Sequence, residues 1–180
     1  MFEDHVGIRL LKVFLHDPTK EIHVREVAKV AKVSPGSAKK YLDILYGEKL
    51  LRRRKQANIL LYSANLENPA FKQMKVALSV YKLIKCGLVD YLASELSPAS
   101  ITLFGSVARG EDDKNSDVDL FVLAKKKEIQ LAKFEEKIGR TMNIIIYDSR
   151  TWKAKAEEDK PFYESVTFNG VVLYGELPVV

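Results

Sequence analysis

Two aspartates separated by one residue are the strongest candidates for chemistry in this chain. Asp117 and Asp119 adjoin an apolar run, residues 120–124, that is typical of a β-strand. Side chains alternate across a strand, so both carboxylates are expected on one face while Val118 faces the core. Two neighbouring carboxylates repel each other unless a cation lies between them, and oxygen ligands of this kind suit Mg²⁺. The pair therefore predicts a magnesium site.

A Gly-Ser turn precedes the aspartates and could bind phosphate. Gly105 and Ser106 directly follow the apolar run 101–104, which predicts another strand. Glycine lets the backbone approach a ligand closely, the turn frees backbone N–H groups, and the serine hydroxyl adds a donor. Arg109 could balance phosphate charge or form a structural ion pair, and the sequence leaves both roles open. A Gly-Ser pair by itself is usually an ordinary turn, and an Asp-x-Asp pair by itself is usually surface charge. Because both occur here beside predicted apolar strands, the sequence favours a phosphate and metal site.

The strings Gly105–Gly110 and Ser116–Leu120 together resemble a known family signature. They are similar to the DNA polymerase beta nucleotidyltransferase superfamily, and in particular to its minimal nucleotidyltransferase branch. The resemblance covers about residues 87–180. It implies an α/β domain with a small mixed sheet, in which a nucleoside monophosphate passes from a nucleoside triphosphate to a hydroxyl group and pyrophosphate is released.

The same resemblance assigns roles to individual residues. It implies that Gly105 and Ser106 hold the nucleotide phosphates, and that Asp117 and Asp119 are catalytic and coordinate Mg²⁺. Family members often pair with a small helical protein, as in toxin–antitoxin systems, and the resemblance allows such a partner here.

Asn143 departs from the family pattern. A helix is expected over residues 125–139 and a strand over 141–147, and the superfamily places a third carboxylate within that later strand. An asparagine carbonyl can ligate Mg²⁺ but carries no negative charge. Asp148 lies five residues further along, on the opposite strand face. Two hypotheses follow: an Mg²⁺-dependent nucleotidyltransferase, or a DNA-binding regulator or antitoxin-like protein whose domain binds nucleotide and transfers it weakly or not at all.

The N-terminal half shows a second pattern, three short helices followed by a hairpin. This order resembles the winged helix-turn-helix DNA-binding domains of prokaryotic regulators. Ser34-Pro35 predicts the start of the third helix, and Gly47 predicts its end. The helices are expected over residues 5–14, 24–31 and 35–46, and the strands over residues 50–55 and 58–62.

Basic residues in this half are the candidates for contacts with duplex DNA. They comprise Lys39 and Lys40 of the third helix and Arg52, Arg53, Arg54 and Lys55 of the hairpin, and the polar Ser37 of the third helix is a further candidate. In the winged-helix hypothesis the third helix enters the major groove and the hairpin contacts phosphates. The alternative is a solvated hairpin on a module that contacts protein.

Charge and composition agree with two different modules. Residues 1–96 carry a net charge of +7 and residues 97–180 a net charge of −2. We expect an α+β protein with a winged-helix domain over residues 1–66, a linker helix over 67–86 and a nucleotidyltransferase domain over 87–180. Cys86 is the single cysteine, which excludes an internal disulfide and favours a reducing, cytoplasmic location. We expect no membrane association, and a homodimer is allowed.

Overall fold

The computed structural model describes residues 5–180 and divides the chain into two compact units. One unit ends at Met74 and the other begins at Lys75. Within the described residues, no helix is long and apolar enough to cross a membrane.

The first unit contains three helices and a three-stranded antiparallel sheet. The strand order is β1-β3-β2, so the hairpin of β2 and β3 is extended by the short β1. The elements are α1 (Val6–His16), β1 (Ile22–His23), α2 (Val24–Val30), α3 (Pro35–Gly47), β2 (Leu51–Gln56) and β3 (Ile59–Ala64).

Local signals explain where α3 begins and ends. The Ser34 side chain accepts a hydrogen bond from the backbone N–H of Ser37, and Pro35 occupies the first turn, as predicted. The end differs slightly from the prediction, because Gly47 is still helical and Lys49 adopts the left-handed conformation. The core of this unit is formed by fully buried apolar side chains, which include Leu10, Phe14, Val27, Ala38 and Leu42.

The second unit is built on a four-stranded mixed sheet, as predicted. The strand order is β6-β5-β4-β7, in which β5 and β6 are parallel and the other neighbours are antiparallel. Helix α4 (Pro69–Lys85), capped by Asn68, enters this unit. The remaining elements are α5 (Leu88–Leu96), β4 (Ser100–Phe104), α6 (Gly105–Ala108), β5 (Val118–Leu123), α7 (Ala132–Ile138), β6 (Met142–Tyr147), α8 (Ser149–Glu158), α9 (Lys160–Thr167) and β7 (Val171–Gly175).

Apolar side chains cover both faces of this sheet. Leu120 and Val122 pack with residues of α4, α5 and α7, whereas Phe121 packs with Trp152 of α8 and Val166 of α9. Because side chains alternate along β5, Asp119 shares the face of Phe121. The α8–α9 side of the sheet therefore carries the acidic pair at one end.

The helix predicted over residues 125–139 is wrong in its first half. Only Ala132–Ile138 is helical. Residues 125–128 are exposed and provide no buried apolar side chain that could hold a helix against the sheet. The helix ends at Gly139, whose φ of 73° is the left-handed conformation common at helix ends.

Candidate nucleotide and metal site

The pairing of β5 with β6 places the acidic residues beside Asn143. The two strands are parallel, and Asp119 lies opposite Asn143 in their register. Asp117 comes immediately before β5, where the backbone N–H of Val118 donates to the carbonyl of Thr141 at 2.9 Å. The Val118 side chain is buried in the core, as the alternation of the strand predicts.

The Asn143 side chain connects both carboxylates. Its Nδ2 donates to Asp119 Oδ1 at 3.1 Å and lies 3.4 Å from Asp117 Oδ2. The amide thus occupies the position between two negative charges where a cation would be attracted. Asp117 and Asn143 are exposed and Asp119 is partly buried, so a ligand can reach the group from solvent.

Gly105 packs directly against Asp119 from the neighbouring strand. Its φ is +73°, and a β-carbon built there would overlap Asp119 Oδ2 and lie 3.1 Å from Asp119 Cγ. Phe104, the last residue of β4, pairs with Asp119 and sets this approach. A glycine is required at this position for two independent reasons, the backbone conformation and the space occupied by the carboxylate.

The other predicted residues of this unit lie around the same turn. Ser106 is the second residue of α6, is half-buried, and accepts the backbone N–H of Glu111 through its carbonyl at 3.0 Å. Arg109 follows α6, and its Nε donates to Glu111 Oε2 at 2.9 Å in an exposed ion pair. Asp148 caps α8 by accepting from the N–H of Thr151. It therefore has a structural role away from the acidic pair.

Three exposed arginines of the hairpin in the first unit already contact carboxylates. Arg52 Nη2 lies 2.7 Å from Glu67, Arg53 Nη1 lies 3.2 Å from Asp43, and Arg54 Nε lies 2.5 Å from Glu21. Lys55 and Lys40 are exposed, Ser37 N–H is used in the helix cap, and Lys39 pairs with Asp43. The sequence alone indicated the basic cluster but not its pairing.

Asp43 joins α3 to the hairpin. Its carboxylate accepts from Lys39, from Arg53 and from the Tyr62 hydroxyl, the last at 2.9 Å. The hydrogen bond from Lys39, followed by that from Tyr62, holds the pKa of Asp43 below its usual value. Burial, together with the hydrogen bond to Asp43, raises the pKa of Tyr62. One network of charged and hydroxyl side chains thus connects the hairpin to α3, the helix that the winged-helix hypothesis places in the major groove.

Sequence reasoning missed a buried ion cluster in the second unit. Lys75 and Asp112 are 2% and 3% exposed, and Arg140 pairs with the same aspartate at 2.8 Å. These residues belong to three separate segments, and no sequence motif relates them. Within residues 5–180, no group of three or more histidines, cysteines or acidic residues is placed to hold a metal ion.

Comparisons with known proteins found a family model and a solved structure that each match part of this chain. The family model described as the nucleotidyltransferase domain matches residues 71–172, more than half of the chain. A solved structure titled "Crystal structure of the toxin-antitoxin with AMP-PNP" is similar at 24% identity over 54% of this chain and 73% of that chain, with a TM-score of 0.38. No curated protein matches the chain. From the family match over residues 71–172, which contains Gly105, Asp117, Asp119 and Asn143, we conclude that the chain belongs to the nucleotidyltransferase domain family.

Proposed function

We propose that the second unit transfers a nucleoside monophosphate from a nucleoside triphosphate to a hydroxyl acceptor with the help of Mg²⁺. The observation that carries this proposal is the convergence of Asp117 and Asp119 on Asn143, with Gly105 directly against one carboxylate. Membership of the nucleotidyltransferase domain family supports the reaction class.

The donor set fits Mg²⁺. It offers two carboxylates and, after rotation of the Asn143 amide, a carbonyl oxygen, all of them hard ligands. Few protein ligands suffice, because Mg²⁺ commonly keeps waters and completes its coordination with substrate phosphates. When bound, Mg²⁺ would neutralise charge that develops on the phosphate oxygens during transfer.

The residues of the chain would bind and orient the substrate. The backbone N–H groups of the Gly105-Ser106 turn could bind phosphate oxygens beside the acidic pair, and the Ser106 hydroxyl can donate to them. Arg109 can turn towards phosphate at little cost, because its pair with Glu111 is about 40% exposed on both sides. The acceptor oxygen would form a bond to the α-phosphorus, the bond to the bridging oxygen would break, pyrophosphate would leave, and the hydroxyl proton would pass to solvent.

Calorimetry with each nucleoside triphosphate, with and without Mg²⁺, tests the site. We expect binding that requires the cation and is lost in Asp117→Ala and Asp119→Ala. Asp90→Ala, an exposed acid of α5 in the same unit, is the matched control and should bind as the wild type does. Equal affinity in the wild type and both site variants would contradict the assignment. Transfer itself is measured with labelled triphosphates, Mg²⁺ and a cell lysate, by following a labelled product.

Asn143 supports a second candidate function. The family's third carboxylate is replaced by an amide that donates to the other two, so one negative charge is missing from the group. A unit of this kind can hold a nucleotide and transfer it slowly or not at all. The protein would then be a regulator or antitoxin-like protein whose second unit binds nucleotide.

For the first unit we propose a winged helix that binds duplex DNA. Its three helices and hairpin support this fold, and β2 exposes all of its basic residues. The arginine–carboxylate pairs in the hairpin are solvent-exposed and hence weak, so phosphates can compete for the arginines. The network of Lys39, Asp43 and Arg53 would keep α3 and the hairpin in one fixed arrangement on the duplex.

A further inference from the structure

Three charged side chains of the second unit form a cluster of ion pairs. The Nζ of Lys75 lies 3.0 Å from Asp112 Oδ1 and also donates to the Asp112 carbonyl. From the other side, Arg140 donates from Nη1 to Asp112 Oδ2 at 2.8 Å and from Nη2 to the carbonyl of Asp113 at 2.7 Å. We refer to Lys75, Asp112 and Arg140 as the buried triad.

Because Lys75 and Asp112 are buried, the free energy needed to desolvate their charges limits what the cluster can contribute to stability. Lysine and aspartate are almost never fully buried unless paired, and here both are at most 3% exposed. The desolvation of two charges can exceed their mutual attraction, and an apolar pair of similar volume is often as stable. A role in holding the joined segments in one relative position explains such a buried pair better than a contribution to folding stability does.

The segments joined by the buried triad carry the site residues. Asp112 lies in the loop that runs from α6 to β5, five residues before Asp117. Arg140 lies between α7 and β6, three residues before Asn143. Lys75 anchors the loop from α4. The buried triad thus connects the segment that leads to Asp117 with the segment that leads to Asn143.

The loop itself is also folded by local hydrogen bonds. Asp113 Oδ1 accepts from the N–H of Asn115 at 2.8 Å and from the hydroxyl of Ser116 at 3.1 Å. The backbone hydrogen bond from Asn115 is the main cause of a lowered pKa at Asp113. The loop is therefore compact, and its residues Asp112 and Asp113 contact Arg140 from the segment before β6.

We infer that the buried triad is a positioning device that holds Asp117 at its distance from Asp119 and Asn143, and so sets the affinity of the site for a divalent cation. This inference rests on the proposed function. Lys75, Asp112 and Arg140 are positioning residues, because the described contacts of their side chains are with one another and with the loop backbone. Partners that orient metal ligands in this way commonly change metal affinity by 10- to 100-fold when they are replaced.

The test uses the full chain and two variants that remove the buried triad in different ways. Lys75→Met/Asp112→Leu replaces the buried pair by apolar side chains, which is often nearly neutral for a pair. Arg140 loses its carboxylate in this variant and keeps its hydrogen bond to the Asp113 carbonyl, so we expect some loss in the free energy of unfolding. Arg140→Gln removes the ion pair between Arg140 and Asp112 at the less buried residue, whose side chain is 15% exposed. This variant provides the test if the double variant does not fold. Arg140→Lys keeps one ion pair and should lie closer to the wild type.

Two measurements are made on each variant. Mn²⁺ binding, followed by electron paramagnetic resonance, should weaken by roughly 10- to 100-fold in the double variant and in Arg140→Gln. Amide hydrogen exchange without metal should become faster over residues 113–119. Lys127→Met is the matched control, because it breaks an exposed ion pair with Glu95 in the same unit and should change neither measurement.

The two measurements separate the inference from the proposed function. If the wild type binds Mn²⁺ and the folded variants bind it equally well, the inference is wrong. If the wild type does not bind Mn²⁺, the proposed function fails. Hydrogen exchange alone then tests whether the buried triad positions the loop. Faster exchange in the variants then supports the positioning role, and unchanged exchange overturns it.

Discussion

Gly105 lies so close to the carboxylate of Asp119 that a β-carbon at residue 105 would overlap Oδ2 and lie 3.1 Å from Cγ. Gly105 comes directly after β4, whose last residue, Phe104, is the register partner of Asp119 on β5. The turn that would hold phosphate and the carboxylate that would hold metal are therefore in direct contact, so a change in one alters the other.

Gly105→Ala should abolish cation-dependent nucleotide binding, because the new methyl group displaces the Asp119 carboxylate. The left-handed backbone adds about 1–2 kcal/mol of strain. Gly139→Ala is a close control, since Gly139 has the same φ of +73° but open space around its Cβ position. Both variants should lose stability in urea denaturation, Gly105→Ala more than Gly139→Ala because of the overlap with Asp119, and only Gly105→Ala should lose binding in calorimetry. Normal binding by a folded Gly105→Ala protein would contradict the proposed site.

Asn143→Asp should restore the family's third carboxylate and raise the rate of transfer, with little change in triphosphate affinity. Without divalent cation the variant should be less stable by about 2 kcal/mol, because two hydrogen bonds are replaced by repulsion among three carboxylates. Pyrophosphate release with candidate acceptors and urea denaturation with and without Mg²⁺ measure the two effects.

The wild type decides how this result is interpreted. A wild type as fast as Asn143→Asp would show that the amide is no deficit and that another group serves as the third ligand. Absence of transfer by both proteins, with nucleotide binding retained, would favour the regulator hypothesis over the enzyme.

Replacing Arg52, Arg53, Arg54 and Lys55 by glutamine should weaken binding to duplex DNA and flatten its dependence on salt. The slope of log affinity against log salt should fall by roughly 0.9 for each phosphate that the hairpin no longer neutralises. Glutamine replacements of the three consecutive lysines at 125–127 and of the exposed Lys153 remove the same number of charges from the other unit and are the control for net charge. An unchanged slope in the hairpin variant would indicate that this module contacts protein instead.

Asp43→Asn should destabilise the first unit by about 1–2 kcal/mol near neutral pH, because it removes two ion pairs and weakens the hydrogen bond to the Tyr62 hydroxyl. The folded pKa of Asp43 lies below its usual 3.8, so its contribution is complete above that pH and is lost as the pH falls through the folded value. The difference between wild type and variant in urea denaturation should therefore shrink below pH 3.8. Glu48→Gln, an exposed neighbour at the end of α3, should show no such change.

Most helices, the strands and the candidate metal-binding residues of the site could be predicted from local sequence. Ser34-Pro35 and Asn68-Pro69 fixed helix starts because capping needs only the neighbouring backbone N–H groups. The alternation around Val118 placed Asp117 and Asp119 together because that period is a property of any strand. The helix expected at 125–131 was wrong. Residues 125–128 are exposed and provide no apolar anchor, and Ile129 and Leu131 pack against the core without forming a helix.

Only the tertiary structure decided which distant groups meet. The contact of Asn143 with both aspartates depends on the parallel pairing of β5 with β6, and the crowding of Gly105 by Asp119 depends on the register of β4 with β5. The ion pairs of Arg53 and Arg54 and the burial of Lys75 with Asp112 join residues 10 to 37 positions apart. Such contacts are set by how sheets and helices pack, and a charged residue that will be buried has the same local sequence signal as one that stays in water.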